Sequence, residues 1–587
     1  MEAWTQFRRH LGEDQKRFLE LVVQFFSQFF ENEFVSRGSE ARLTAAHVLA
    51  VLGVPTAFYT ISLVPAYDNV FWNLPEKFNA YCLIDECRYV TFTMVVVGFV
   101  ALLQWEKLFL DGRDYAILTP LPLKPVTIFT AKVVSLVLYL LLFLVDVAAV
   151  PTLLYPIVET MAMRGAPISA LRFGNLFVSH AVAVFSSGAF AFLFFASLQG
   201  VLINLLSARA FKKIGLCIQI VGTVGLLLML FLLPIFSALV PEWQRAPFPA
   251  LYKFPPIWFV GLYQTLLGSS DALFRSSAKI AVMALSLVAL ACVATYTLNY
   301  RRDMQRALES TAAQPNVPSR WTGVARWLLT RAIVRRPRER ATFFFTLITL
   351  ARSSKHRLYI TAYTGVGLAL ALFGIVEVLV YTARRDVPHL IFEPHEALLA
   401  LPLILSFFLL SGMRLVFTLP ADLPSNWAFQ IAENEAWLEG WAGVRKTMIV
   451  AVVILLLALC PFYAVLWGWG PAVQQFLFSM TLSLVLIELL LLKFRKIPFT
   501  CSYRAGKANL TLFAFLYWFA FTTYAYAMAA IERWTLQDDA RWFGFLVLLL
   551  VVLATLTRWR KAALTGAAGN VYEDSPDPEV QTLGLGT

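Results

Sequence analysis

Between Val133 and Ile157 the chain reads VVSLVLYLLLFLVDVAAVPTLLYPI, and Asp146 is its one charged residue. About 20 such residues in an α-helix cross the roughly 30 Å of a bilayer's hydrocarbon. Backbone groups in that medium must be bonded within a helix or a closed barrel. Runs of this kind recur along the chain, and none shows the strict alternation of a barrel strand. The pattern therefore dictates an all-α polytopic membrane protein. Composition agrees, with 59% hydrophobic and 15% charged residues, against about 25% charged in soluble domains. About twelve transmembrane helices are expected, over 44–66, 90–109, 133–157, 175–206, 214–240, 278–298, 358–382, 396–418, 447–468, 472–492, 509–531 and 541–557. They fall into two six-helix halves, accompanied by interfacial amphipathic helices.

Lys and Arg gather at the N-terminus and in every second loop. By the positive-inside rule that side is cytoplasmic, which puts both termini in the cytosol and the chain in the cell's inner (cytoplasmic) membrane as a multi-pass protein. Residues 1–20 are charged and polar and do not resemble a cleavable signal. The net charge of +12 reflects this topology and attraction to anionic lipid headgroups, not a nucleic-acid partner. In this reading Cys82 and Cys87, in YCLIDECRY, lie in the first external loop. A disulfide between them is allowed there, with two free thiols as the alternative.

Residues 1–43 form a cytosolic amphipathic region. Phe18, Leu19, Val22, Phe25, Phe26, Phe29, Phe30 and Phe34 share one helical face, suited to the membrane interface or to the protein's own core. The first half spans 44–298. A basic linker, 299–357, ends in a second apolar-faced helix. The second half spans 358–557, and a polar, acidic tail of 558–587 is expected to be disordered. The layout of the halves suggests a duplication. In each half the largest cytosolic loop lies between the second and third spans: Leu108–Lys132, with Pro120, Pro122 and Pro125, and Thr418–Lys446. The external stretch 241–277 is too broken to span and suggests re-entrant or interfacial helices, with Trp258 and Tyr263 as headgroup-level anchors.

Catalytic motifs are missing. No Gly-x-x-x-x-Gly-Lys-[Ser/Thr] loop occurs, and GWAGVRKT has the wrong glycine spacing. Neither a His-Glu-x-x-His helix nor a Gly-x-Ser-x-Gly elbow is present. The chain is not expected to be an enzyme or to hold a cofactor or metal of its own. Ionisable residues within spans are functional candidates by default: Asp146, Glu377, Arg414 and Glu488. Asp146, Glu377 and Glu488 could form an ion relay, with interhelical bonding as the plainer reading.

Two stretches carry a family resemblance. LLQWEKLFLDGRDYAILTPLPLKPVTIFTAK and LPLILSFFLLSGMRLVFTLPADLPSNWAFQ resemble the segments around the second and third spans of permease subunits of type-2 ABC exporters, in a long, duplicated bacterial subgroup. The tail sequence EDSPDPEVQTLGLG is similar to that subgroup's tail. The resemblance implies a permease that exports a substrate, lipid-like or amphipathic, using separate cytosolic ATPase subunits, two copies, which hold ATP and Mg. It also implies coupling helices docked on those ATPases: Asp111, Arg113, Asp114, Pro120 and Pro122 in the first half, Asp422 and Trp427 in the second. Prolines restrict φ and supply the stiffness such an element needs. The alternatives are an ion-coupled secondary transporter and a structural subunit of a larger membrane complex.

Overall fold

The computed structural model describes residues 12–30, 39–73, 77–105, 107–109, 114, 118, 124–162, 170–245, 252–309, 329–331, 333–385, 393–421, 437–492, 494, 498–500 and 510–565. Among these the chain is helical, with no strand. It divides into two compact units, Met1–Gln314 and Pro315–Thr587. Ten helices are long and apolar enough to cross a membrane among the described residues.

The first unit contains α1 (Glu13–Phe30), α2 (Ser39–Asn73), α3 (Phe78–Leu103), α4 (Pro125–Ala162), α5 (Ala170–Leu205), α6 (Ala208–Phe231), α7 (Leu233–Arg245), α8 (Pro255–Leu266) and α9 (Ala272–Glu309). Its most buried helix is α3, which packs on α4, α5, α6, α7 and α8. Small residues permit the closest crossings, as in membrane bundles generally. A Cβ on Gly188 of α5 would meet Leu144 Cδ2 at 2.5 Å and Thr93 Cγ2 at 2.9 Å. α1 lies against α4: Val22, Phe25 and Ala131 are buried together. The apolar face of α1 thus covers the protein's own core.

The second unit contains α10 (Pro337–Arg352), α11 (Ser354–Arg385), α12 (Glu396–Val416), α13 (Trp437–Trp467), α14 (Trp469–Leu491), α15 (Leu510–Thr522), a π-helical turn (Thr523–Ala527), α16 (Met528–Thr535) and α17 (Asp539–Thr565). Here α12 is the most buried helix. α10 packs on α13 as α1 packs on α4, and α17 packs on α14 as α9 packs on α5. Gly468, at φ 83°, makes the whole turn between α13 and α14, a conformation glycine adopts without a Cβ penalty.

Several sequence expectations are corrected. YCLIDECRY is not a loop: it lies within α3, and Cys82 and Cys87 are buried free thiols. The disulfide allowed between them is not formed, because the helix carries the two residues five positions apart, and the alternative of two free thiols is the one found. The expected span 214–240 breaks at Leu232 into α6 and α7. The 44–66 span lies in α2, a 35-residue helix. The 509–531 span is divided by the π-helical turn, and neither of these two is among the ten apolar crossers. α9 runs on to Glu309, into the stretch read as linker, and α17 runs on to Thr565, into the stretch read as tail. Tyr263 is 1% exposed inside the first unit and so cannot be a headgroup anchor. Trp258 is half-buried and donates its Nε1–H to Tyr252 O at 2.7 Å.

Candidate functional site

Two features stand out, one at each end of the helices. The first is where the chain leaves the second long helix of each unit. In the first unit that exit follows α3. Gln104 Nε2 donates to Phe29 O at 3.0 Å, and Lys107 Nζ donates to Gln28 O at 2.7 Å. These are carbonyls of the last turn of α1, which have no partner within a helix, so the exit caps α1. Gln199 of α5 donates to Trp105 O at 2.5 Å, and the Tyr296 hydroxyl of α9 donates to Leu108 O. Gln28 Nε2 reaches Asp114 Oδ1 at 3.4 Å. The Lys132 ammonium, at the foot of α4, lies 5.0 Å from the ring centroids of both Phe25 and Phe29, a cation–π arrangement.

The second unit fastens the corresponding exit, after α12, by other means. Phe499 N donates to Phe417 O and Ala421 N donates to Phe499 O, both at 3.0 Å. His356 Nε2 donates to Leu419 O at 3.2 Å. Phe499 sits at φ 69° and is buried against Phe345, His356 and Phe417. A bulky residue in the left-handed region costs about 1–3 kcal/mol and persists only where its surroundings over-determine it. Lys446, at the foot of α13, bonds Glu339 Oε1 of α10 at 2.5 Å and Ile333 O at 2.6 Å. Glu488 is fully buried between Arg445 Nε at 2.6 Å and Arg560 Nε at 2.9 Å, as ion pairs without hydrogen-bond alignment. Arg414 donates to Leu490 O at 2.9 Å and lies 3.8 Å above the Phe494 ring. Of the residues expected to couple to a partner, Asp111, Arg113, Pro120, Pro122, Asp422 and Trp427 lie outside the described residues.

The second feature is a buried polar network at the opposite end of the first unit. Glu159 lies 27 residues along α4 from Lys132, about 40 Å of helix. Asp85 of α3 accepts from the hydroxyls of Tyr59 (2.5 Å) and Tyr67 (2.8 Å) and from Arg88 Nη1 (2.9 Å). Glu86 Oε2 lies 2.7 Å from His180 Nδ1 of α5, and neither residue has any exposed surface. The Tyr155 hydroxyl donates to Cys82 O at 3.1 Å and lies 3.3 Å from that of Tyr67. Glu159 lies beside Tyr263 of α8. Five elements therefore meet through acids, tyrosines and one histidine. Buried ionisable groups persist where they are paired, and these pairings fix α2, α4, α5 and α8 around α3. The arrangement stiffens this end of the unit. His180→Leu, which strips Glu86 of its partner, is expected to cost about 2–3 kcal/mol. Denaturant titration of the detergent-purified protein checks this, and an unchanged midpoint would refute it.

The three acids first considered for a relay are not gathered. Asp146 faces Gly53 of α2, 13 residues from Glu159 along α4, about 20 Å. Glu377 is exposed on α11, 21 residues or about 32 Å from His356. Glu488 is held between its two arginines. No metal-holding group of three His, Cys, Asp or Glu occurs among the described residues. No known protein family, curated protein or solved structure matches the chain.

Proposed function

We propose that the chain is the membrane-spanning permease of an ATP-driven exporter of the type-2 ABC class, acting with two copies of a separate cytosolic ATPase that holds ATP and Mg. In this reading twelve helices cross the inner membrane as two six-helix halves, both termini are cytosolic, and the substrate is lipid-like or amphipathic. The observation that carries the reading is the fastening of the two exits after α3 and α12. Each is bonded to several other elements of its unit. Force applied to the following loop would pass into the helices instead of being absorbed locally. The exposed position of Glu377 and the ion-paired state of Glu488 count against the ion-relay alternative.

Replacing Asp111, Arg113 and Asp114 together by Ala is expected to abolish co-purification of an ATPase subunit and its stimulation, while the purified chain keeps its thermal midpoint. Co-purification and stimulation equal to the parent would overturn the coupling role. Transport by the purified chain against a proton gradient without ATP would favour the ion-coupled alternative.

A further inference from the structure

The second unit contains a buried carboxylate that none of the above uses. Glu532 lies in α16, just past the π-helical turn, and has no exposed surface; neither of its carboxylate oxygens has a hydrogen-bond partner among the described residues. Gln475 of α14 lies beside it. The orientation of that amide is set by its Nε2, which donates to Leu399 O and to Ser479 Oγ, each at 3.2 Å. Gln475 Oε1 is left buried without a partner. Glu532 Oε1, Glu532 Oε2 and Gln475 Oε1 are thus three buried acceptors on neighbouring side chains without a partner among the described residues, and each carries a desolvation penalty.

The surrounding elements explain why no protein donor fills the gap. Pro402 has no N–H, so α12 leaves Leu398 O without its usual helical partner. The Tyr463 hydroxyl of α13 is committed to that carbonyl at 2.7 Å. The Tyr524 hydroxyl, in the π-helical turn, is shared between Ser406 (3.0 Å) and Ser483 (3.2 Å). Nearby cations are also engaged: Arg533 pairs with Glu396 at 3.0 Å, and Arg541 pairs with Asp538 at 3.5 Å. A small cavity lined by Pro402, Leu456, Tyr463, Gln475, Phe476 and Ser479 opens next to Gln475. A π-helical turn within a helix frequently marks a functional site.

We propose that Glu532 and Gln475 form a binding site for a monovalent cation, either a proton or an alkali ion, which supplies the positive charge and donor capacity that the three acceptors lack. One carboxylate in a water-poor site balances one positive charge, which excludes a divalent ion. The same chemistry serves both sources, because a proton makes the carboxyl a donor to an amide oxygen and an alkali ion is ligated by the same oxygens. The site is independent of the exit loops and of any ATPase.

The test measures the thermal midpoint of the full-length chain in detergent, in sodium, potassium or choline chloride at equal ionic strength, and between about pH 8 and about pH 6. Binding to the folded state alone raises the midpoint. Glu532→Gln places a neutral amide donor where the cation would sit and removes the charge. If the site takes an alkali ion, sodium or potassium raises the parent midpoint over choline by about 2–4 °C and leaves Glu532→Gln unchanged. If it takes a proton, the parent midpoint rises as pH falls, by more than that of Glu532→Gln, with no preference among the salts. A parent chain indifferent to both, or a response that Glu532→Gln retains in full, overturns the proposal. Should Glu532→Gln fail to fold, indifference of the parent chain to salt and pH is still decisive against it, and a parent response lost in Gln475→Leu supports it.

Discussion

Glu488→Ala is expected to lose about 3–5 kcal/mol of stability, the range for removing one partner of a buried ion pair. The loss arises on the arginine side. Arg560 has a side chain only 7% exposed, and its Nη1 has no hydrogen-bond partner. Without Glu488 its charge is left in a water-poor place with no counter-ion. Arg445, at 28% exposure, can turn toward water and contributes less. The expected readout is an early denaturation midpoint for Glu488→Ala, with much of the loss recovered in Glu488→Leu combined with Arg560→Leu. A single variant that unfolds with the parent would show that the pair contributes nothing.

The second large effect is expected at Gly443. A Cβ there would collide with Thr342 Oγ1 and Glu339 O and come within 2.9 Å of Phe343 N. Two of these are backbone atoms, so no rotamer change relieves the contact, and Gly443→Val must lift α10 from α13. Overpacking of this kind costs about 1–3 kcal/mol. The larger consequence is positional. Lifting α10 breaks the Lys446–Glu339 pair and the Thr342 bond to Gly440 O at 2.9 Å. If α10 belongs to the platform on which an ATPase bears, Gly443→Val should lose most of its ATPase stimulation while the chain still inserts and purifies. Full stimulation in that variant would remove α10 from the coupling path. Gly443→Ala, with less bulk, should fall between the two.

Periodicity and hydropathy were enough for much of this architecture. The phenylalanine spacing of residues 18–30 predicts α1, and the charge-poor runs predict most long helices. What they miss has a common cause. Asp85, Glu86 and Arg88 read as loop residues because hydropathy scores each side chain by itself. In the fold, Tyr59 and Tyr67 of α2 and His180 of α5 supply their partners, and those residues lie 18 to 94 positions away. The span 509–531 stops one residue short of Glu532, yet Glu532 is buried within α16. The break at Leu232 and the π-helical turn leave no mark in composition. The signal that was available is the density of tyrosines facing the acids from α2, α4 and α8. For the exits after α3 and α12, the prolines of the loops that follow are plain in the sequence. The residues that anchor them, Gln104, Gln199, Tyr296 and Phe499, were not, because their role depends on which carbonyl the fold places opposite each one.

The docking of α1 has a consequence for how the chain can be trimmed. α1 acts as a keystone. Its last carbonyls receive Gln104 and Lys107, and its phenylalanines flank Lys132. Removing residues 13–30 would take partners from four polar side chains at one junction, Gln104, Lys107, Asp114 and Lys132, and bare the apolar foot of α4. An affinity handle put in exchange for residues 13–30 would therefore remove the contacts that hold this junction together.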